Sequence, residues 1–263
     1  MVAQYTTLEI ERRGQADWVS LNRPDSLNAM NSAMVAELQR YFAGLEHDRA
    51  VRVVVLRGRG RSFCAGLDLK EIGPRLEGMD HAAVWAEQRA LSRMIVAMRR
   101  CPQPIVCLLH GSASGGGFAL ALASDIRLAT PDARMNAAFI QVGLSGCDVG
   151  VSYHLPRLVG SSVAAELLMT GRFLGAARAR ELGLISELHA PEAMDAAAAT
   201  LVGELLRAGP LALELTKQGL AAAQDAGSLE AAVEIEDRQQ SMLAAGDEFR
   251  SRIRAFLAKI AGR

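Results

Sequence analysis

The chain is poor in cysteine and in long uncharged stretches. Its four cysteines, at positions 64, 101, 107 and 147, show no Cys-x-x-Cys spacing, so the sequence predicts neither a zinc site nor a disulfide framework. No apolar stretch approaches the roughly 20 uncharged residues that a membrane span needs. The first residues lack a basic segment followed by a long apolar one. We therefore expect no signal peptide and a cytoplasmic location.

Neither sign of charge is in excess. The chain has 29 basic and 29 acidic residues, and Lys70, Lys217 and Lys259 are its only lysines. A balanced charge creates no overall field that attracts nucleic acid or an anionic membrane. We expect neither among the partners of the protein.

Strand and helix patterns alternate in the first half of the chain. Apolar and β-branched runs predict strands near residues 5–11, 16–21, 51–57, 104–109 and 125–129. Between them, helices are predicted over 31–47, 81–99 and 115–122, the first beginning at Asn31 or Ser32 as N-cap. This alternation predicts an α/β fold with layered strands and right-handed crossovers.

From about residue 149 the pattern becomes helical. Alanine- and leucine-rich segments predict helices near 161–170, 192–208, 211–225, 228–244 and 247–260, with Gly209, Gly227 and Gly246 between the last of them. Amphipathic helices of this kind need a surface to pack on. We divide the chain into a core over residues 1–195 and a C-terminal helical region over 196–263.

The most informative segment is residues 111–122, which read GSASGGGFALAL. Its glycines lack side chains where the first N–H groups of a helix stand unpaired, so a bulky group can lie against that backbone. The positive end of the helix dipole also favours an oxygen that becomes anionic. The Gly116 N–H is therefore predicted to be one donor of an oxyanion hole.

A second glycine-rich loop follows the predicted strand 51–57. It reads RGRGRSFCAGLD over residues 57–68, and we predict that the Ala65 N–H is the other donor. Two donors on separate loops suit a thioester carbonyl that turns into an enolate, because each such donor contributes about 2.7–4 kcal/mol by deletion. The alternative is that both segments are ordinary strand-to-helix turns.

Several segments resemble the enoyl-CoA hydratase/isomerase (crotonase) superfamily. The resemblance rests on SFCAGLDLKE at 62–71, HGSASGGG at 110–117, SDIR at 124–127, LNRPDSLNAM at 21–30 and LMTGR at 168–172, and it spans roughly residues 5–258. It implies a crotonase-like spiral of ββα units whose C-terminal helices form homotrimers or pairs of trimers. It also implies an acyl-CoA substrate, with coenzyme A as part of that substrate and no further cofactor or metal.

The resemblance also assigns a binding segment for the CoA thioester. Its members in this chain are Ser26, Leu27, Ala65, Gly66, Leu67, Asp68, Lys70 and Gly116. For Asp68 the competing hypothesis is that its side chain caps the turn that leads to Lys70.

The residues that usually move protons in this family are missing. Its hydratases carry one glutamate two positions after the glycine triplet and a second about twenty residues later, whereas this chain has Ala119 and Phe139 there. Neither side chain can donate or accept a proton. The usual two-glutamate hydration mechanism is therefore not available from these positions.

Asp148 is the candidate replacement. It stands in the sequence GLSGCDVG, and dienoyl-CoA isomerases of the family have an aspartate in a similar Asp-Val-Gly setting, although the loop here is one residue longer. A carboxylate beside an apolar pocket is a usable acid or base near neutral pH. The alternative is an N-cap for the apolar run that follows. We expect the His154 side chain to face either the pocket or solvent, and we expect His110 to have a structural role.

We predict an enzyme that forms a thioester enolate and moves a proton between carbon atoms. Double-bond isomerisation is favoured over hydration, because one carboxylate can shuttle a proton whereas hydration usually needs two and a positioned water. The alternatives are a hydratase with another acid or base, a thioester hydrolase and a non-catalytic acyl-CoA binder. A serine nucleophile elbow is disfavoured because Ala113 stands at the centre of Gly-Ser-Ala-Ser-Gly.

Overall fold

The computed structural model describes residues 5–261. Residues 1–4 and 262–263 lie outside the described residues. The predicted domains include these residues at both ends, and the expectation of no signal peptide rests partly on residues 1–4, so these parts of the two predictions also lie outside the described residues. The chain divides into two compact units, Met1–Val202 and Gly203–Arg263. This boundary and the one predicted from the sequence, between residues 195 and 196, both lie inside the helix Met194–Leu206.

The first unit contains a six-stranded and a three-stranded sheet. The larger sheet has the order β1-β2-β3-β4-β6-β9, and the smaller has the order β5-β7-β8. The strands are β1 (Leu8–Arg13), β2 (Ala16–Leu21), β3 (Val53–Gly58), β4 (Ile105–Leu109), β5 (Ser112–Ser114), β6 (Ile126–Ala129), β7 (Arg134–Asn136), β8 (Leu174–Gly175) and β9 (Glu187–Leu188).

Most of the larger sheet is parallel. In this sheet β1 and β2 pair antiparallel, with Leu8 opposite Leu21, and the pairs β2–β3, β3–β4, β4–β6 and β6–β9 are parallel. Strands β2 and β4 are buried along their whole length, as parallel strands covered on both faces are. The predicted α/β layering is confirmed, and each predicted strand is present with ends that agree to within three residues.

Helices connect the parallel strands and cover the sheets. The helices of the first unit are α1 (Ser32–Gly44), α2 (Leu69–Leu76), α3 (His81–Arg100), α4 (Gly116–Ala123), α5 (Val151–Val159), α6 (Ser161–Thr170) and α7 (Ala176–Glu181), and α8 (Met194–Leu206) crosses the boundary. Three 3₁₀ turns lie at Pro24–Ser26, Ala138–Val142 and Pro191–Ala193.

Two of these helices show how local sequence sets their ends and burial. Helix α1 begins after Asn31, whose side chain accepts a hydrogen bond from the Met34 N–H, as the sequence predicts. All eight residues of α4 are buried. A helix without a polar face fits only inside a core, so the glycine loop that precedes α4 is tied to the centre of the unit.

The second unit is helical, with α9 (Pro210–Asp225), α10 (Leu229–Ala244) and α11 (Asp247–Ala261). Its helices carry exposed apolar side chains, among them Leu220, Leu229, Phe249 and Phe256. Within residues 5–261, no single helix is long and apolar enough to cross a membrane, and one bent pair, Pro191–Leu206 with Pro210–Asp225, reaches that length and composition together.

Candidate active site

The two glycine-rich loops lie side by side in the structure. Cys64 and Ala113 form a short parallel bridge. Its hydrogen bonds run from the Cys64 N–H to the Ser112 carbonyl at 3.1 Å and from the Ser114 N–H to the Cys64 carbonyl at 3.0 Å. The bridge joins segments about fifty residues apart in the chain, so the loops that follow β3 and β4 are held together.

Glycines permit this close approach. A β-carbon built on Gly117 would lie 2.2 Å from the Cys64 carbonyl oxygen, and one on Gly66 would lie 2.8 Å from the Ser114 carbonyl oxygen. Gly66 also has a φ of 98°, which side chains rarely adopt. The same built atom on Gly66 would be 3.6 Å from the Gly116 nitrogen. Side chains at these positions would push the two loops apart.

The loop before α1 supports the site from the other side. The buried Asn28 amide donates to the carbonyl oxygens of Arg59 and Ser62, both at 2.8 Å. Arg23 donates to the Asp68 carboxylate at 2.9 Å. Burial alone would raise the pKa of Asp68, but the Arg23 guanidinium, together with the N–H groups of Glu71 and Lys70, lowers that pKa below its usual value. Asp68 also caps α2 by accepting from the Glu71 N–H, which was the competing hypothesis for this residue.

The structure corrects the prediction for the Ala65 N–H. That group donates to the Leu27 carbonyl at 3.0 Å, so it is not free to bind a substrate oxygen. Two residues later the chain has turned, and the Leu67 N–H has no acceptor within residues 5–261. The Gly116 N–H, at the first position of α4, is likewise unpaired there. The unpaired donors are therefore those of Leu67 and Gly116.

Both unpaired donors belong to residues that line one cavity of about 120 Å³. Its walls come from the two loops, from α3, from the Ala138–Val142 turn and from the loop before α5. The side chains in it are mostly apolar, and the main ones are Met30, Leu67, Leu69, Leu91, Met94, Ile95, Phe139, Val142 and Leu144. Such a cavity suits a hydrocarbon group attached to a polar head.

Asp148 is the one titratable side chain among the residues that line this cavity. Helix α5 begins after Gly150, so Asp148 is not its N-cap. Its Oδ1 accepts hydrogen bonds from Gln88 Nε2 at 2.5 Å and from the Val149 N–H at 2.8 Å. The structure thus brings Ala65, Gly66, Leu67, Gly116 and Asp148 to one cavity.

The remaining predicted binding residues lie outside the cavity lining. Ser26 is exposed at the end of a 3₁₀ turn, and Lys70 is exposed in the first turn of α2. The Leu27 carbonyl accepts a hydrogen bond from the Ala65 N–H. Of the two positions that carry glutamates in related hydratases, Ala119 is buried in α4 and Phe139 lines the cavity, with its ring against Gly115.

The other side chains that could react form hydrogen bonds with other groups or are uncharged near neutral pH. Desolvation, followed by the charges of nearby arginines, lowers the pKa of His154 to about 4. His110 Nε2 contacts the Gly60 carbonyl at 3.0 Å and not a serine hydroxyl. Burial raises the pKa of the Cys64 thiol to about 12, which leaves it protonated. Within residues 5–261, no group of three or more His, Cys, Asp or Glu residues is arranged to hold a metal ion.

Comparison with known proteins identifies the family. The family model for enoyl-CoA hydratase/isomerase matches residues 14–261. The chain belongs to this family. A probable enoyl-CoA hydratase, echA12, from Mycobacterium leprae is 36% identical over 88% of this chain and 80% of its own length. The 1,2-epoxyphenylacetyl-CoA isomerase of Escherichia coli K12 is 32% identical over 92% of this chain and 91% of its own.

The solved structures agree with the family assignment. A crystal structure from Streptomyces coelicolor A3(2), described as a candidate enoyl-CoA hydratase, is 40% identical, covers 98% of this chain and 94% of its own, and superposes with a TM-score of 0.94. The predicted family, its crotonase-like fold and the expectation of an enzyme are confirmed. Because its relatives include proteins named as hydratases and as isomerases, membership leaves the reaction open.

The sequence did not single out Gln88, although a signal for it exists. Gln88, Leu91 and Ile95 are spaced as i, i+3 and i+7 in α3 and line the cavity together. This is the spacing of one helix face. A polar residue that continues an apolar face is a candidate for a buried hydrogen bond, and this pattern could have identified Gln88.

Proposed function

We propose that the protein binds an acyl-CoA thioester and stabilises its enolate with the N–H groups of Leu67 and Gly116, while Asp148 moves the proton. One observation carries this proposal. Two unpaired main-chain donors from separate loops and one carboxylate belong to the lining of the same largely apolar cavity. Donors fixed by the Cys64–Ala113 bridge require no reorganisation as charge develops on the thioester oxygen.

Within this site, isomerisation of a carbon–carbon double bond is favoured over hydration. Asp148 can remove a proton from one carbon, the electron pair passes to the thioester oxygen, and the same carboxylic acid can return the proton to another carbon. Ala119 and Phe139 supply no second carboxylate to orient a water. The Phe139 ring also adds apolar surface to the cavity. Support for a hydratase comes from the name of the M. leprae relative.

The CoA part of the substrate is proposed to extend past Ser26, Leu27, Asp68 and Lys70. Ser26 and Lys70 are exposed, so their polar groups are accessible to a ligand. Asp68 holds the loop through Arg23. The proposed reaction needs no metal and no cofactor besides the coenzyme A of the substrate.

The apolar side chains exposed on α9, α10 and α11 support the proposal of a homotrimer or a pair of trimers. Leu220, Leu229, Phe256 and Leu257 are each more than half exposed. Exposed apolar side chains that gather in one helical region are typical of surfaces that bind another protein. Light scattering of the purified protein should give three or six times the mass of one chain, and a monomeric mass would contradict the proposal.

Incubation in heavy water with a panel of saturated and unsaturated acyl-CoA thioesters tests the reaction. Mass spectrometry follows deuterium uptake, double-bond position and added water, and a thiol reagent follows free coenzyme A. We expect deuterium next to the thioester carbonyl and a moved double bond. Added water would favour the hydratase, released thiol would favour a hydrolase, and tight binding without any exchange would favour a non-catalytic acyl-CoA binder.

A further inference from the structure

The two oxygens of the Asp148 carboxylate have different surroundings. Oδ1 accepts from Gln88 Nε2 at 2.5 Å and from the Val149 N–H at 2.8 Å. Oδ2 has no hydrogen-bond donor among residues 5–261. A carboxylate free in water has equivalent oxygens, so the protein itself creates this difference.

The backbone after Asp148 adopts a conformation that is unfavourable for its residue type. Val149 has a φ of 38°, and Gly150 follows with a φ of 84°. A β-branched residue at positive φ is uncommon because its side chain crowds the backbone, and such residues cluster at functional sites. In this conformation, the Val149 N–H donates to the carboxylate of the residue before it.

Gln88 is the polar member of an otherwise apolar helix face. Helix α3 contributes Gln88, Leu91, Met94 and Ile95 to the cavity lining. An amide in such surroundings needs a partner to offset the loss of water. The Gln88 amide nitrogen has that partner in Asp148, sixty residues away in sequence.

We propose that Gln88 is a positioning residue which, together with the Val149 N–H, holds Oδ1 of Asp148 so that Oδ2 alone exchanges the proton with the substrate. This inference rests on the proposed function. In the first half of the reaction the substrate C–H bond breaks, an Oδ2–H bond forms and the electron pair moves to the thioester oxygen. In the second half the electron pair returns from the thioester oxygen through the conjugated system and forms a C–H bond at another carbon, while the Oδ2–H bond breaks and leaves Asp148 as the carboxylate.

The other titratable groups around Asp148 do not share this role. They are Glu87 and Arg89 beside Gln88, Cys147 in the same loop and His154 on α5. Glu87 forms an ion pair with Arg75 at 2.7 Å, and Arg89 lies over the Trp85 ring. Cys147 is exposed, and His154, with its pKa lowered to about 4 by desolvation and then by neighbouring arginines, is neutral above pH 5.

The test uses Gln88→Met, which keeps the length of the side chain and removes the donor, and Gln88→Glu, which places a second carboxylate beside the first. Leu91→Ala is the matched control, because it lies on the same helix face and lines the same cavity. For each protein the rate of deuterium uptake is measured against pH. Carbon-13 NMR of aspartate-labelled protein follows ionisation of Asp148 directly, assigned by its loss in Asp148→Asn.

For Gln88→Met we expect kcat to fall tenfold or more, with KM within about threefold. The NMR midpoint and the acid limb of the rate profile should both move to higher pH, because a donor to the charged form is lost. Gln88→Glu should move both further, because two adjacent carboxylates share a proton. Leu91→Ala should change KM and leave both midpoints in place.

An unmoved NMR midpoint in folded Gln88→Met and Gln88→Glu proteins would overturn the proposal, and circular dichroism establishes folding. This readout does not depend on turnover, so it decides the role of Gln88 even if the reaction is not the one proposed. If the wild-type protein exchanges no deuterium but the midpoint moves, the proposed function fails and the positioning stands. If Asp148→Asn abolishes exchange and Gln88→Met changes nothing, only the positioning fails.

Discussion

The proposed reactive groups of the cavity are of two kinds, which are main-chain N–H groups on the two glycine-rich loops and a side-chain carboxylate with its donors. We refer to residues 64–67 and 112–117 as the backbone wall, and to Gln88 with residues 148–150 as the carboxylate wall. The backbone wall is held by a β-bridge and by glycines without room for a β-carbon. The carboxylate wall is held by two hydrogen bonds and contains a valine at positive φ.

The two walls should respond differently to amino-acid substitutions. In the backbone wall the side chains carry no chemistry, so substitutions act only through the spacing of the two loops. In the carboxylate wall the proposed proton carrier is a side chain, so we expect its replacement to leave the fold intact and remove the reaction. Mutations on the two walls should therefore separate stability from activity.

The largest expected effect is on the carboxylate wall. Asp148→Asn should lower isomerisation or α-proton exchange about a thousandfold, because an amide cannot accept the proton. Substrate affinity should change little, since the donors of the backbone wall remain. Stopped-flow or mass-spectrometric rates measure the loss, and Asp237→Asn on an exposed face of α10 is the control. Unaltered exchange in Asp148→Asn would show that another group moves the proton.

Next in size is an effect on the backbone wall that distinguishes its two candidate donors. Replacing the Leu67 amide by an ester, through incorporation of the matching α-hydroxy acid, removes one N–H and should lower kcat about a hundredfold. The same replacement at Ala65 breaks the hydrogen bond to Leu27 and should cost about 1 kcal/mol of stability, with a smaller loss of rate. The reverse ranking of the two rates would restore Ala65 as the donor.

A smaller effect concerns pH and stability next to the carboxylate wall. His154 is neutral when folded because desolvation and nearby arginines lower its pKa to about 4, whereas it titrates near 6.5 when unfolded. As pH falls from about 6.5 to 4, the unfolded state binds a proton that the folded state does not, so the free energy of unfolding decreases. Allowing for partial exposure of the ring, this loss is about 1–2 kcal/mol.

His154→Leu should lack that part of the pH dependence. Urea unfolding at pH 7 and pH 4.5 measures the difference for the wild type and the variant. The control is His47→Gln, which replaces an exposed histidine after α1. Equal losses in the wild type and in His154→Leu would show that the folded protein does not keep this ring neutral.

The smallest effect is expected at the rim of the cavity. Leu144 lines it but is 56% exposed, so Leu144→Ala removes little apolar contact from a bound acyl group. We expect KM to rise by a few fold for longer acyl chains, with kcat unchanged. Steady-state kinetics across a series of chain lengths measures this, and Met169→Ala, at an exposed position of α6, is the control. A large fall in kcat would place Leu144 closer to the reacting atoms.

Most of the fold could be predicted from the sequence, because strands and long helices are indicated by residues that are close together in the chain. Apolar runs fixed the strands, and caps and glycines fixed the long helices to within a few residues. The elements that were missed are short, such as β5, β7 and β8, with three, three and two residues. Strands of this length carry too few residues to show a period, so only their partners in the sheet define them.

The sequence by itself determined the family, the two glycine-rich loops and the candidate carboxylate. The missing side chain of glycine and the carboxylate of aspartate follow from the residue type alone. The tertiary structure decided which main-chain N–H groups are unpaired, since every residue except proline carries the same donor and only its neighbours distinguish Ala65 from Leu67. It also brought Gln88 to Asp148, a contact between distant segments that depends on how α3 packs against the loop before α5.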